Sequence, residues 1–384
     1  MTNKRFIKFV LIGLFLGMAF VGGVNYLVDP YGLYKSNFIT KSKIKQSEKI
    51  RLIKALKTQE IKPISICLGT SRTEYGYDPT HKYFTKPSYN LGVSSASMYE
   101  ARLYFEWALK QGNLKKVLLV ADYRMFNVSN QTNIADLETY FDKPNIYKYI
   151  ISFDTFKDSL QTLKGGENTS IYLENGQREH NHNWQNILKY GGHLETMKKD
   201  EKNYYKGYPT NYTYKDTGNK SFPDFEKIVQ LCYENNIKLD IVFGPSHIRQ
   251  WEALDYYLGY ENWLQWKKDV VVSVNKIANR QNKKQFRIMD FSVYHPLTAE
   301  KVPADKNVQM KWHWEASHYK NELGLIVLDR LAGYSGHRDF GIELNLDNID
   351  THLKQQKIDR KNFIDVEKYQ IEVFGKLKQS NQSL

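Results

Sequence analysis

The chain opens with an apolar run from Phe9 to Val28, interrupted only by glycines, Asn25 and Tyr26. Twenty residues at ~1.5 Å rise per residue cover roughly the 30 Å hydrocarbon core of a bilayer. No second run approaches this length. After it the pattern changes to short apolar runs alternating with helical periodicity. Ile64–Leu68, Ser88–Leu91, Val117–Ala121, Leu239–Phe243 and Phe286–Phe291 read as strands. Ala96–Gln111 reads as a helix, with Tyr99, Leu103 and Trp107 near one face. A second is expected from a Ser221 cap through Asn236, with Pro223 in its first turn and Phe225, Ile228, Val229 and Cys232 at helical spacing. Residues 247–281 and Asn321–Leu331 are also helical in pattern. This alternation predicts an α/β fold, a three-layer α/β/α arrangement around a mostly parallel central sheet, preceded by one N-terminal transmembrane helix.

The same pattern divides the chain. Residues 1–28 are the expected membrane anchor, and 29–60 a polar, Lys-rich membrane-proximal segment with a helical stretch near Ser47 to Thr58. The core domain is expected at 61–335. Within it, 127–220 loses the rhythm and reads as an insertion rich in Asn, Tyr, Lys and Gly. Residues 336–384 read as a charged C-terminal appendage with little to bury.

Lys4, Arg5 and Lys8 precede the apolar run and Asp29 follows it, so the positive-inside rule keeps the N-terminus cytoplasmic and exports the rest. A cleaved signal peptide is the rival reading, but it calls for a shorter apolar region and an A-x-A-like site, which Gly22, Gly23, Val24 and Asn25 do not make. Two cysteines, Cys67 in a strand-like run and Cys232 on a helix face, exclude a disulfide scaffold and are expected as buried free thiols. The 55 basic and 42 acidic side chains leave a net charge of +13. The basic residues are dispersed and no nucleic-acid reading motif occurs, so no nucleic-acid partner is expected. Behind a membrane anchor, this charge suits anionic headgroups or an acidic glycan.

In open parallel sheets ligands bind beyond the carboxyl ends of the strands. The first strand is followed by Gly69-Thr70-Ser71-Arg72, the second by Asn90-Leu91-Gly92 and the third by Asp122-Tyr123-Arg124. The fourth runs into Gly244-Pro245-Ser246-His247-Ile248-Arg249. Trp312-His313-Trp314-Glu315-Ala316-Ser317-His318 precedes the last helix. Ser71 is the candidate nucleophile, which needs a base and an oxyanion site; the plain alternative is a helix cap. Ser71 and Gly92 are the candidate oxyanion donors, the glycine because no Cβ blocks approach to its N–H. Glu315 and His318 are three apart, which allows a carboxylate to hold one imidazole nitrogen while the other faces the serine. Asp122, Arg72, His247 and Arg249 are candidates for support or substrate binding, with an Arg72–Glu74 ion pair shaping the serine turn and His247 alternatively capping the next helix. His313, Glu315 and His318 lack the two histidines at i, i+4 of a zinc helix, so neither metal nor cofactor is expected.

Together these residues resemble the SGNH/GDSL hydrolase superfamily, over about 61–335. The membrane-anchored branch that includes alginate O-acetyltransferase components and the teichoic-acid D-alanylation protein is the nearest in pattern. Gly69-Thr70-Ser71-Arg72 stands where that family carries its serine, Asn90-Leu91-Gly92 matches the glycine block, and Glu315-Ala316-Ser317-His318 matches D-x-x-H. The acid is Glu rather than Asp, and the block that offers an asparagine, G-x-N-D, is replaced by Asp122-Tyr123. The resemblance implies a serine acyltransferase or esterase acting on O-acetyl groups of an exported cell-surface polysaccharide. It also implies an inner-membrane, periplasm-facing location and a polytopic membrane acyltransferase as partner. Trp184, Tyr204, Tyr205 and Tyr208 of the insertion are candidates for stacking on sugars. A catalytically silent protein of the same fold, binding carbohydrate or serving assembly, is the competing expectation.

Overall fold

A computed structural model describes residues 3–41, 43–142, 144–165, 171–179, 181–334 and 336–378. Positions 143, 166–170 and 180 of the expected insertion, and 379–384 of the expected appendage, lie outside the described residues. The chain forms two compact units, Met1–Lys57 with Asp136–Glu174, and Thr58–Ala135 with Asn175–Leu384. The expected insertion is therefore not one piece: 136–174 packs with the N-terminal segment, and 175–220 belongs to the larger unit.

In the smaller unit, helix Asn3–Val28 is, among the described residues, the one helix long and apolar enough to cross a membrane. Only Val21, Gly22, Asn25 and Val28 of it are buried. A core of Tyr31, Leu33, Ile50, Leu52, Ile53, Tyr149 and Tyr172 holds the rest of this unit together.

The larger unit is built on a six-stranded sheet of order β2-β1-β3-β4-β5-β6. The strands are β1 Ser65–Leu68, β2 Ser88–Asn90, β3 Lys116–Ala121, β4 Lys238–Phe243, β5 Arg287–Asp290 and β6 Ile342–Leu344. All neighbours pair in parallel except β6, which runs antiparallel to β5. Every residue of β1, and all but the first of β3 and β4, is buried, so both faces of the sheet centre are covered. This is why these strands read as continuous apolar runs rather than alternating ones. On one face Cys67, Leu118, Val120, Val242 and Met289 pack with Tyr319, Leu323, Val327 and Leu328. Cys67 and Cys232 are both buried, and they form no disulfide with each other.

The expected helices form with shifted ends. Met98–Lys110 is capped by Ser97, whose Oγ accepts from the Glu100 N–H at 3.1 Å. The long helical stretch after β4 is two helices, Ile248–Leu258 and Tyr260–Arg280, broken at Gly259 with φ +88°. Ser221 precedes helix Phe222–Glu234 without capping it; its Oγ donates to the Phe126 carbonyl at 2.8 Å.

The C-terminal segment departs from expectation. It adds β6 to the sheet, and helix Ile349–Phe363 buries His352 and Gln356. Those polar side chains meet Asp290 at the end of β5 and the Ser292 carbonyl. Burial here is polar and partner-specific, which an apolar pattern does not reveal.

The strand order has one reversal. From β1 the chain moves to β2 on one side, and β3 lies on the other. The crevice beyond the carboxyl ends of β1 and β3 is the topological switch point of the sheet.

Candidate active site

The register aligns the carboxyl ends that matter. Leu68 of β1 lies beside Leu119 of β3, and Ala121 beside Phe243 of β4. After β1, Gly69 takes φ +152°, and a Cβ there would stand 2.9 Å from the Val120 carbonyl. The chain can turn this tightly because position 69 has no side chain. Thr70 caps helix Ser71–Gly76, and its Oγ1 donates to Asp122 Oδ2 at 2.8 Å. Ser71 is thus the first helical residue, and its N–H has no acceptor within the helix.

Ser71 Oγ lies 2.6 Å from His318 Nε2. The other ring nitrogen, Nδ1, is against Glu315 Oε1. Three residues suffice because the segment folds back: the Trp314 N–H donates to the His318 carbonyl at 2.9 Å. Glu315 is fixed from its own turn, its Oε2 accepting from the Ser317 N–H at 2.7 Å and its Oε1 from the His318 N–H at 2.9 Å. Burial pushes the Glu315 carboxyl up, but His318, the Ser317 amide and Arg72 outweigh it and hold it below the ordinary range. An ionised Glu315 assigns the ring proton to Nδ1 and leaves Nε2 to accept from the serine hydroxyl. The Tyr75 ring packs edge-on against the imidazole at 5.2 Å.

Arg72 joins the two halves. Its guanidinium pairs with Asp122, and Nε donates to the Ser317 carbonyl at 3.0 Å and to Ser317 Oγ at 3.2 Å. Its Nη2 donates to the Tyr204 hydroxyl at 3.4 Å. The expected Arg72–Glu74 pair is replaced by this Arg72–Asp122 pair, and Glu74 Oε2 accepts from Ser94 Oγ at 2.6 Å. Residues two apart on a helix point to different sides.

Gly92 lies under the serine helix. A Cβ there would be 2.7 Å from Thr73 Cβ and 2.9 Å from the Glu74 nitrogen. Its N–H, expected to face an oxyanion, donates to Asn90 Oδ1 at 2.9 Å. Asn90 Nδ2 donates to the Thr73 and Tyr77 carbonyls, both at 2.8 Å. In this arrangement the Asn90–Gly92 segment clamps the helix that carries Ser71.

His247 and Arg249 are brought to the same edge but turned to protein partners. His247 Nδ1 accepts from the Arg249 N–H at 3.3 Å as the cap of its helix, and Nε2 donates to the Glu300 carbonyl at 2.7 Å. Arg249 makes a two-pronged pair with Glu201 at 2.8 and 2.9 Å. Neither is among the residues that line the cleft beside His318. His313 lies against Glu300 Oε2 and the Pro245 carbonyl, both at 3.2 Å. No group of three or more His, Cys, Asp or Glu side chains among the described residues is placed to hold a metal.

Glu315 and His318 line a cleft of about 640 Å³ whose walls also include Tyr75, Tyr190, Asp200, Tyr204 and Trp314, and Ser71 lies against His318 at its edge. Asp200 is pushed up to about 6, first by burial and then by Glu315. Of the four aromatic residues expected to stack on sugars, Tyr204 lines this cleft. Tyr205 is buried and accepts from Gln250 at 3.0 Å, Tyr208 accepts from Arg124 at 3.2 Å, and Trp184 packs against His193. Thr70, Asn90 and Ser317 stand in the strand-end blocks without a role expected of them, and Tyr75 and Asp200 were not singled out. Tyr75 carried a usable signal, because it lies four residues after Ser71 and so on the same helix face. No protein-family model matches the chain, and no curated protein sequence matches it.

Proposed function

We propose that this chain is a membrane-anchored, extracytoplasmic serine acyltransferase or esterase of SGNH type. In this reading the sheet is the centre of a three-layer α/β/α domain, and helix Asn3–Val28 is a single-pass anchor in the inner membrane with the catalytic unit on the periplasmic side. The observation that carries the proposal is the Ser71–His318–Glu315 chain of contacts beside an open cleft. Ser71 Oγ attacks an acyl carbon while its proton passes to His318 Nε2. Glu315 stabilises the imidazolium and keeps its tautomer. The Ser71 N–H donates to the developing oxyanion. The alkoxide leaving group takes the proton back from His318, leaving an acyl-serine. A sugar hydroxyl or water then gives its proton to His318 and attacks the acyl-serine, which releases the product and regenerates Ser71.

The acyl group is assigned as acetyl and the acceptor as an exported cell-surface polysaccharide, by the resemblance of the three sequence blocks, with a polytopic membrane acyltransferase as the partner that delivers the acyl group. Tyr204 and Tyr190 on the cleft wall suit a sugar ring. A second reading has its own observation: the Gly92 N–H is taken by Asn90, leaving Ser71 as the backbone oxyanion donor, which suits a silent carbohydrate-binding protein of this fold. Turnover of an activated acetyl ester by the full chain separates them. The first reading expects acetate release that falls by about 10⁴-fold or more in Ser71→Ala. An unchanged rate in that variant contradicts it.

A further inference from the structure

Helix Phe153–Lys164 packs along the end of helix Asn3–Val28, within the smaller unit. The buried face of Phe153–Lys164 carries Thr155, Ser159 and Thr162. Small hydroxylated residues let helices approach closely in lipid. Ser159 Oγ donates to Asn25 Oδ1 at 3.1 Å, and Asn25 Nδ2 donates to the carbonyls of Ile150 at 2.8 Å and Ser152 at 3.0 Å. The amide that interrupts the apolar helix is thereby satisfied, as burial away from water requires.

A second face of Phe153–Lys164 has no such cover. Phe153, Phe156, Leu160 and Leu163 recur at helical spacing and make one stripe. Phe153 is 71% exposed and the preceding Ile151 61%. Phe156 meets Phe20 at 6.0 Å between ring centroids, and Phe20 is itself 65% exposed. The stripe therefore continues the exposed apolar surface of the long helix. Exposed Tyr147 and Lys148 precede it, and exposed Lys157 and Lys164 flank it. Aromatic rings and lysines around an apolar face are the composition of a membrane boundary.

We propose that helix Phe153–Lys164 is a second, interfacial membrane contact, lying in the headgroup–acyl boundary of the outer leaflet with Phe153, Leu160 and Leu163 in lipid. This rests on the reading that Asn3–Val28 spans the bilayer, with the exposed stretch Phe6–Phe20 in lipid and the stretch Val21–Val28, partly buried by this unit, at the outer boundary where Phe156 meets Phe20. The occupant is lipid because the stripe extends a surface that lipid already covers. Two points of attachment restrict rotation of this unit about its anchor.

The test uses the full chain in phospholipid nanodiscs. An environment-sensitive fluorophore is placed on single thiols at Phe15→Cys, Phe153→Cys or Asp154→Cys, and doxyl-labelled lipid is the quencher. Cys67 and Cys232 are buried, and the unsubstituted chain reports their background. The expected result is blue-shifted, lipid-quenched emission at 15 and at 153, with water-like, unquenched emission at 154. Quenching at 15 with a water-like signal at 153 overturns the interfacial contact alone. A blue shift at 153 without lipid quenching also overturns it, in favour of a protein cover. Absence of quenching at 15 overturns the anchor reading and this proposal with it.

Discussion

Two of the histidine–carboxylate pairs in the larger unit, His318–Glu315 and His352–Asp290, are built for different ends. His318 meets Glu315 beside the cleft, and its far nitrogen meets Ser71 Oγ. His352 meets Asp290 at 2.8 Å in the interior, where Lys267 Nζ lies 2.7 Å from the same carboxylate and Gln356 completes the network. The His318 side chain keeps 24% of its exposure, whereas Asp290 and Lys267 keep none. A buried ammonium beside Asp290 offsets its charge within the interior. Glu315 has Arg72 nearby but gives its oxygens to the histidine and to its own turn. A carboxylate–imidazole pair is thus a structural tie unless a nucleophile and an open cleft are added to it.

The difference can be broken from either side. The largest effect is expected at the cleft: Glu315→Gln should lower ester turnover by about 10³–10⁴-fold, because the amide no longer enforces the Nδ1–H tautomer. Steady-state rates with an activated acetyl ester check this. The interior pair should behave in the opposite way. Asp290→Ala leaves a buried ammonium without its partner and should cost about 3–5 kcal/mol of stability. Denaturant midpoints of the detergent-solubilised chain measure this, and the protein that remains folded should keep its turnover.

Acid sharpens the same contrast at smaller magnitude. Burial pushes Asp290 up, but Lys267 and His352 outweigh it and bring the carboxyl down to about 2. An unfolded aspartate titrates near ~3.9, so its contribution of about 2 kcal/mol is present above about pH 4 and lost as pH falls towards 2. Asp200, on the cleft wall, has the reverse sign. It is pushed up to about 6 by burial and by Glu315, so its contribution is present below about pH 4 and lost as pH rises through 6. Unfolding midpoints stepped from pH 3 to pH 7 should show that fall, and Asp200→Asn should flatten it. This is the smallest effect expected, because Asp200 is partly solvated.

These pairs also show what a sequence can disclose. Ser71 was legible because it follows an apolar strand directly, and Glu315 with His318 because their contact closes within one turn. The five parallel strands were legible because a sheet covered on both faces leaves unbroken apolar runs. The partners of Arg72, His247 and Arg249 were not legible. Asp122, Glu300 and Glu201 are remote in sequence and are brought near by the sheet and its loops. The role of the C-terminal segment was hidden for a related reason. His352 and Gln356 are buried by hydrogen bonding to Asp290 and Ser292, and hydropathy registers such residues as surface. Gly92 was noticed for its missing Cβ, but the space is filled by the serine helix rather than by a ligand.

Capture of an acyl-enzyme decides whether Ser71 is the nucleophile. The full chain would be mixed with an activated acetyl ester, quenched in acid within the first turnover, digested and weighed by mass spectrometry. One added acetyl group is expected on the peptide containing Ser71, absent from Ser71→Ala and strongly reduced in His318→Ala. Ester turnover with no acetyl group on Ser71, or with the group on another residue, would contradict it.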